Sequence, residues 1–494
     1  MSTPTGSASI PDLGTRSTRN GVVGALGAWG RFAVQFATVV TVARMLGPEQ
    51  YGMAATVLIF TTLAEFLRTS GIVNAVIQRD DLTPERTATV HLVSSVIGAS
   101  VAVCAASVYL ALGGGIDLAL GFALIIAATG VSAIPSALLT RELRTFPLVA
   151  GELVAALLSC ALAVALASTG AGGASLVWQS AAYATLTAVF VLIAGRRPRA
   201  VRAPLREVRA YLRFGGHSAV TQGSRFAAQN SDRMLLTITT TGAEAGLYVQ
   251  ASQLVALPIA QVTGPLHRVV LPAMSRLTAD TRAFRACFRA AASVISLTLL
   301  PVFAALGVVA EPLILTLFGP EWSGSVALFR VLVVNGIGAA LIFLSSWVFV
   351  ATGRARTQSR ITLATAAVTV AAVCAGALFG SAGIAVGLAA ATTASVIPTF
   401  VIARRGTGLR LGDLIRPLGP GAAVAAIVAA AAWTATVLSP GPSYVTLLSG
   451  GGAAASAYLL GVAAVPSARR RVRTLISHTR SRHAGSRTRT EADA

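Results

Sequence analysis

The chain has 494 residues, 54% of them hydrophobic and only 12% charged, whereas soluble chains carry about 25% charged residues. A soluble protein of this length would need roughly three domains, each with a polar skin, and too few charges are present to cover them. The net charge of +21 does not indicate nucleic acid, because the basic residues, all of them Arg, cluster in short segments between apolar runs.

The composition therefore implies an all-α polytopic membrane protein, in which each span needs about 20 apolar residues. Residues 1–20 are polar and contain no apolar segment, so no cleavable signal peptide is expected and the first span serves as an uncleaved anchor. Charge-free intervals then mark the spans. Glu152 and Arg196 enclose 43 uncharged residues, Arg360 and Arg404 another 43, and Arg416 and Arg469 a further 52. Each interval is too long for one span. Each is broken by turn residues, at 168–175, 380–383 and the Pro-Gly-Pro of 440–442.

The predicted spans are 21–45, 52–77, 88–112, 117–139, 147–168 and 174–195, which form an N-terminal six-helix bundle over 21–195. A basic cytoplasmic linker, 196–213, follows. A C-terminal six-helix bundle over 214–403 holds 214–240, 246–271, 287–310, 325–351, 359–379 and 382–403. Two extra helices, 417–438 and 443–465, and a basic tail, 466–494, complete fourteen spans. Short inside loops are expected to be rich in Arg. With both termini cytoplasmic, 33 of the 39 arginines fall on inside segments. The outer loops then hold no Arg but carry Glu49, Asp117, Glu244, Glu311 and Glu321.

The first hairpin turn, Gly47-Pro48-Glu49-Gln50-Tyr51-Gly52, is echoed 195 residues later by Gly242-Ala243-Glu244-Ala245-Gly246-Leu247-Tyr248. Six helices separate the two, so the halves would be parallel repeats, as in many alternating-access transporters. Gly and Glu recur in tight loops generally, but the long linker between the halves favours a true repeat.

Enzyme signatures are sparse. No G-x-S-x-G elbow, Walker A motif or H-E-x-x-H occurs, and the five histidines lack metal-ligand spacing. Cys104, Cys160, Cys287 and Cys374 are scattered and read as small apolar residues. Gly21, Gly24, Gly27 and Gly30 lie within a span and suit close helix contact. No enzyme activity, cofactor or metal is expected.

Arginines within spans carry the functional signal, since each costs about 2.5–3.5 kcal/mol at mid-membrane on insertion scales. Arg44 and Arg330 lie near span ends, where they can snorkel. Arg31, Arg68, Arg225 and Arg233 lie deeper, on spans one, two and seven, with Arg268 close by on span eight. Glu65 and Asp232 share those helices, beside Asn230, Gln229 and Gln222. Two readings stand. In one, the charges pair internally, Glu65 with Arg68 and Asp232 with a facing Arg. In the other, a cationic cavity receives an anionic substrate, because the arginines outnumber the acids and guanidinium forks suit phosphate oxygens.

The run from Val42 through Gly47-Pro48-Glu49-Gln50-Tyr51-Gly52, followed by Asn74-Ala75-Val76-Ile77-Gln78-Arg79 and Asp81-Leu82-Thr83, resembles the polysaccharide-transporter flippases. These belong to the multidrug/oligosaccharidyl-lipid/polysaccharide (MOP) superfamily. Asn230-Ser231-Asp232-Arg233, Gly246-Leu247-Tyr248 and Leu271-Pro272-Ala273-Met274-Ser275-Arg276-Leu277 continue the likeness, which covers residues 20 to about 405. Many relatives carry an acid just before Gly71, where this chain has Arg68, Thr69 and Ser70. The resemblance implies two six-helix bundles around a central cavity and a substrate of undecaprenyl-pyrophosphate-linked oligosaccharide. Arg31, Arg68, Arg225, Arg233 and Arg268 would meet the pyrophosphate, and Glu65, Asp232 and Asn230 would pair with them or bind a coupling ion. Membrane lipid and glycan-assembly enzymes are the other expected partners, the latter through the basic tail. The alternatives are a cation-coupled multidrug or small-solute antiporter of the same superfamily, a membrane-embedded glycosyltransferase or polymerase, and a non-transporting scaffold.

Overall fold

The computed structural model describes residues 10–68, 73, 76, 83–142, 144–195, 203–204, 230–439 and 441–464, with side chains from Trp29 onward. The described residues form fifteen α-helices and one 3-10 turn, without strands. Eleven helices are long and apolar enough to cross a membrane. This is a multi-pass membrane protein of the predicted class. It divides into two compact units, Met1–Gly246 and Leu247–Ala494.

The first unit holds α1 (Ile10–Tyr51), α2 (Met53–Arg68), α3 (Pro84–Ala111), α4 (Ile116–Arg141), α5 (Thr145–Ser168), α6 (Ala174–Ala194) and α7 (Ser231–Thr239). The helix of α1 breaks at Gly47, whose φ of 68° is costly for any residue with a Cβ. Pro48 then starts a single further turn. The Thr83-Pro84-Glu85 sequence behaves as a helix start. The Thr83 hydroxyl accepts the Arg86 N–H at 3.3 Å, Pro84 takes the first position and Glu85 lies in the first turn. Inside the unit, α4 packs against α2, α3 and α6, and α5 lies between α1 and α6. Phe60 and Phe122 stack at 4.0 Å, and Tyr109 meets Phe122 edge-on at 5.0 Å. Little of the 196–213 linker is described, but Ala203 reaches α3, where its carbonyl accepts the Thr89 hydroxyl at 2.8 Å.

The two repeated turns meet within this unit. A Cβ added to Gly52 would stand 2.2 Å from the Gly242 carbonyl oxygen, and one added to Gly246 would stand 2.0 Å from that of Pro48. Only glycine permits this backbone-to-backbone approach, which gives the recurring glycines of the repeat a shared physical reason.

The second unit begins within α8 (Gly242–Arg276) and continues through α9 (Thr281–Val308), α10 (Ala310–Phe318), the 3-10 turn Pro320–Trp322, α11 (Ser325–Ala351), α12 (Ala355–Ala377), α13 (Gly380–Ala403), α14 (Leu411–Leu438) and α15 (Ser443–Ala464). At 35 residues, α8 is about 52 Å long, well beyond the ~30 Å hydrocarbon thickness. It carries Pro258, Pro265 and Pro272 inside it. The last two helices are part of this unit's core. Val424, Val428 and Ala432 of α14 and Ala454 and Ala457 of α15 pack with Leu297 and Val309 in one buried cluster. The α14 backbone approaches α9 so closely that the Ser296 hydroxyl bonds the Leu418 carbonyl at 3.3 Å.

Candidate functional site

The predicted site residues fall on apolar helices, and the structure places them as follows. On α1, Arg31 donates from Nη1 to Oε2 of Glu152 on α5. The Arg31 side chain is 35% exposed and that of Glu152 is 11% exposed. Glu65 lies on an exposed part of α2. Arg68 ends that helix, and its side chain lies outside the described residues, as do Arg225, Gln222 and Gln229 altogether. The pairing expected between Glu65 and Arg68 therefore falls partly outside the description.

At the start of α7, Asn230 is fully buried and Asp232 is 5% exposed. The carboxylate lies in the first turn of the helix, where the positive end of the helix dipole favours it. Arg233 is half-buried and donates from Nη1 to Asn230 Oδ1 at 3.1 Å, while its buried Nε has no hydrogen-bond partner. The α2 helix packs against α7, so the elements bearing Glu65 and Asp232 are neighbours within the first unit. Arg268, on α8, is exposed. Arg330 is exposed and bonds the Gly307 carbonyl at 3.3 Å, as expected of a snorkelling residue near a span end.

Three features escaped the sequence reading. Glu152 served only as the boundary of a charge-free interval, yet it is the lone charged residue of α5. The reasoning applied to arginines inside spans would have singled it out. Its pairing means that Arg31 is a compensated charge. Asp413 lies between the predicted spans 382–403 and 417–438, where a charge draws no notice. It is 3% exposed and accepts from Arg285 Nε and Nη2 at 2.9 and 3.2 Å and from the Arg410 N–H at 2.8 Å. His267 accepts the Trp347 indole N–H on Nδ1 at 2.8 Å. Outside the spans, Arg354 fixes the α11–α12 turn. It donates to the Arg405 carbonyl at 2.7 Å and to that of Ala403, and lies 5.4 Å from the Phe349 ring. Burial lowers its pKa.

Comparison with known proteins decides the family. Residues 41–327 match the family described as polysaccharide biosynthesis protein. The chain belongs to that family. A relative within reach is the lipopolysaccharide biosynthesis protein WzxC of Escherichia coli (strain K12). It is 25% identical over 316 residues, covering 60% of this chain and 62% of that protein. The teichuronic acid biosynthesis protein TuaB of Bacillus subtilis (strain 168) is 28% identical over 152 residues, 31% of either chain. The match thus spans less than two thirds of the length of either relative. Among solved structures, the lipid II flippase MurJ in an inward closed conformation aligns with a TM-score of 0.70 at 12% identity, over 89% of this chain and 98% of that one. An inward-facing multidrug resistance MATE family transporter of the MOP superfamily aligns with a TM-score of 0.63 at 16% identity, over 76% and 94%. At such identities the likeness is one of fold, which this family member shares with both transporters.

Proposed function

We propose that this polysaccharide biosynthesis family member is a flippase. Its substrate is a lipid-linked oligosaccharide of the undecaprenyl-pyrophosphate type, moved across the cytoplasmic membrane for cell-surface polysaccharide assembly. Both termini are cytoplasmic. The anionic head enters a cationic central cavity from inside, the lipid tail stays in the bilayer, and alternating access carries the head outward. Arg31, Arg68, Arg225, Arg233 and Arg268 receive the pyrophosphate.

The observation that carries this reading is the placement of guanidinium groups within apolar helices of a MOP-fold chain, with the buried Arg233 Nε as a donor still to be satisfied. Such groups are retained in a bilayer only where a partner or an aqueous path meets them, and a pyrophosphate offers both charge and several acceptors. The relatives' names agree in class, since WzxC and TuaB are named for biosynthesis of surface polymers and MurJ for flipping lipid II. The buried Asp232 favours one alternative, an antiporter in which that carboxylate binds a coupling cation.

Arg225→Gln and Arg233→Gln in cells test the assignment. Both proteins should insert normally, lower glycan export by about tenfold, a loss of about 1.4 kcal/mol of transition-state stabilisation, and accumulate lipid-linked intermediates inside. Lys at either position should restore export only in part, because the planar fork is lost. Wild-type export by both Gln variants would overturn the cationic path. Wild-type export combined with lost drug efflux in Asp232→Asn would establish the antiporter instead.

A further inference from the structure

The end of the second unit where α9 and α14 begin gathers more positive charge than its acids can balance. Residues 276–289 and 404–416 hold eight arginines and two acids, and both acids already accept hydrogen bonds. Asp280 Oδ1 accepts the Arg282 and Ala283 N–H groups at 2.9 and 3.0 Å, which caps α9. Asp413 accepts from Arg285 and from the Arg410 N–H. The two segments are adjacent in space. A Cβ at Gly408 would stand 2.2 Å from Thr281 Cγ2, so the turn before α14 rests on the first turn of α9.

On α9, Arg282, Arg285 and Arg289 are spaced i, i+3, i+7 and share one face. That face meets α14, because Arg285 grips Asp413 and Arg289 Nε lies 3.8 Å from Asp413 Oδ1. Arg285 is committed to the tie, whereas Arg282 is exposed and the Arg289 side chain is 47% exposed. Arg410 and Arg416 are exposed at the start of α14. Beside them α14 exposes Leu411 and Ile415, one turn apart, at 36% and 51%. The exposed face continues through Ala422 and Ala426, and no charged residue follows Arg416 before the helix ends at Leu438. A cluster of cations that gives way to an uncharged helix face complements an amphiphile with an anionic head and a hydrocarbon tail. A soluble acidic partner would leave Leu411 and Ile415 uncovered, whereas a phospholipid covers them with its acyl chain.

We propose that the α9–α14 crossing holds an anionic phospholipid, with Arg282, Arg289 and Arg416 on the headgroup phosphate and an acyl chain along Leu411 and Ile415. Guanidinium forks suit phosphate oxygens, and basic pockets between membrane helices are the usual sites for anionic heads. One headgroup shared by arginines of two helices draws those helices together beside the Arg285–Asp413 tie. The site is distinct from the five arginines assigned to the substrate, and all of its residues belong to the second unit. Under the proposed orientation the lipid comes from the cytoplasmic leaflet.

The test uses the full chain in neutral detergent, with dioleoyl phosphatidylglycerol and, separately, dioleoyl phosphatidylcholine as probes. Native mass spectrometry counts the lipid that each protein retains. The wild type should retain phosphatidylglycerol about tenfold more strongly, since several basic residues meet the head, and its thermal midpoint should rise when that lipid is added. Arg282→Gln combined with Arg289→Gln should lose both the preference and the rise. Lys at both positions keeps the charge and should keep most of the preference, which separates lost binding from lost folding. Arg356→Gln combined with Arg360→Gln removes the same charge from α12, a helix packed on α11 and α13, and should leave the preference intact. Equal losses in the two Gln pairs would reduce the attraction to general surface charge and overturn the site, as would a wild type without preference. Release of the lipid by inorganic phosphate, but not by sodium chloride of the same ionic strength, would assign the cluster to a soluble anion instead. No readout here depends on glycan export, so failure of the lipid site leaves the flippase reading standing, and the reverse holds too.

Discussion

Among the described residues, an Arg–carboxylate pair ties distant helices together in each compact unit, Arg31–Glu152 in the first and Arg285–Asp413 in the second, and they are built differently. Asp413 is held by both prongs of Arg285 and by the Arg410 N–H, with Arg289 Nε at 3.8 Å. Its oxygens are saturated by fixed donors. Glu152 accepts from Arg31 Nη1 on Oε2, and the guanidinium is the more exposed partner. A saturated acid at the α9–α14 crossing is suited to holding helices permanently. Glu152 is the lone charged residue of α5, so its pairing compensates a charge within a span. The chemistry is the same in both places, and the setting separates them.

The comparison breaks first at Asp413. Asp413→Ala strands Arg285 and removes the acceptor for the Arg410 N–H, a loss of about 2–3 kcal/mol. That lies toward the low end for a broken buried pair, because Arg285 is itself 26% exposed. Thermal unfolding in detergent should show this as a lowered midpoint, with transport per folded molecule unchanged. An unchanged midpoint would refute the distinction.

The same crossing can be stressed without touching charge. A Cβ at Gly421 would stand 1.9 Å from Ser296 Oγ. Gly421→Val should therefore cost about 1–3 kcal/mol by overpacking, and adding Ser296→Gly should recover part of it. Absence of any recovery would mean that α14 does not rest on α9 at this point.

Reversing the other pair separates pairing from function. Arg31→Glu combined with Glu152→Arg restores the attraction, so stability should stay within about 1 kcal/mol of the wild type. Export should still be lost, since the accessible member is then an anion. Normal export by the reversed protein would make the pair purely structural. The smallest effect is expected at a single hydrogen bond between two helices of the second unit. Trp347→Phe deletes the bond to His267 and should cost about 0.6 kcal/mol, the average for hydrogen bonds between membrane helices. A loss above about 2 kcal/mol would show that the buried indole contributes by packing as well as by this bond.

Much of the helix layout was legible because charge and glycine punctuate the spans. The predicted 325–351 coincides with α11, whose ends are set by Gly324 and by Thr352-Gly353. Helices α8 and α9 run past the predicted 271 and begin before the predicted 287. Arginines such as Arg276 and Arg282 end the apolar stretch but not the helix, since Arg is itself a good helix former. The loop expected around 311–324 contains α10 and a 3-10 turn whose Trp322 is 1% exposed. Nine residues are too few to register as a span. The candidate arginines were legible as costly residues, but their partners were not. Arg31 and Glu152 lie 121 residues apart, and no spacing rule within a helix links positions on different helices.

The tie at Asp413 also sets an order of events at birth. Arg285 is synthesised 128 residues before the acid that holds it, a gap of about 6–26 s at common rates of synthesis. During that interval α9 has neither its counter-charge nor the apolar cover supplied by α14 and α15. The second unit cannot settle helix by helix as it emerges. It must wait for its last two helices, so a ribosome stalled after residue 403 would leave behind a chain that is fully inserted yet unfinished, and a target for membrane proteases.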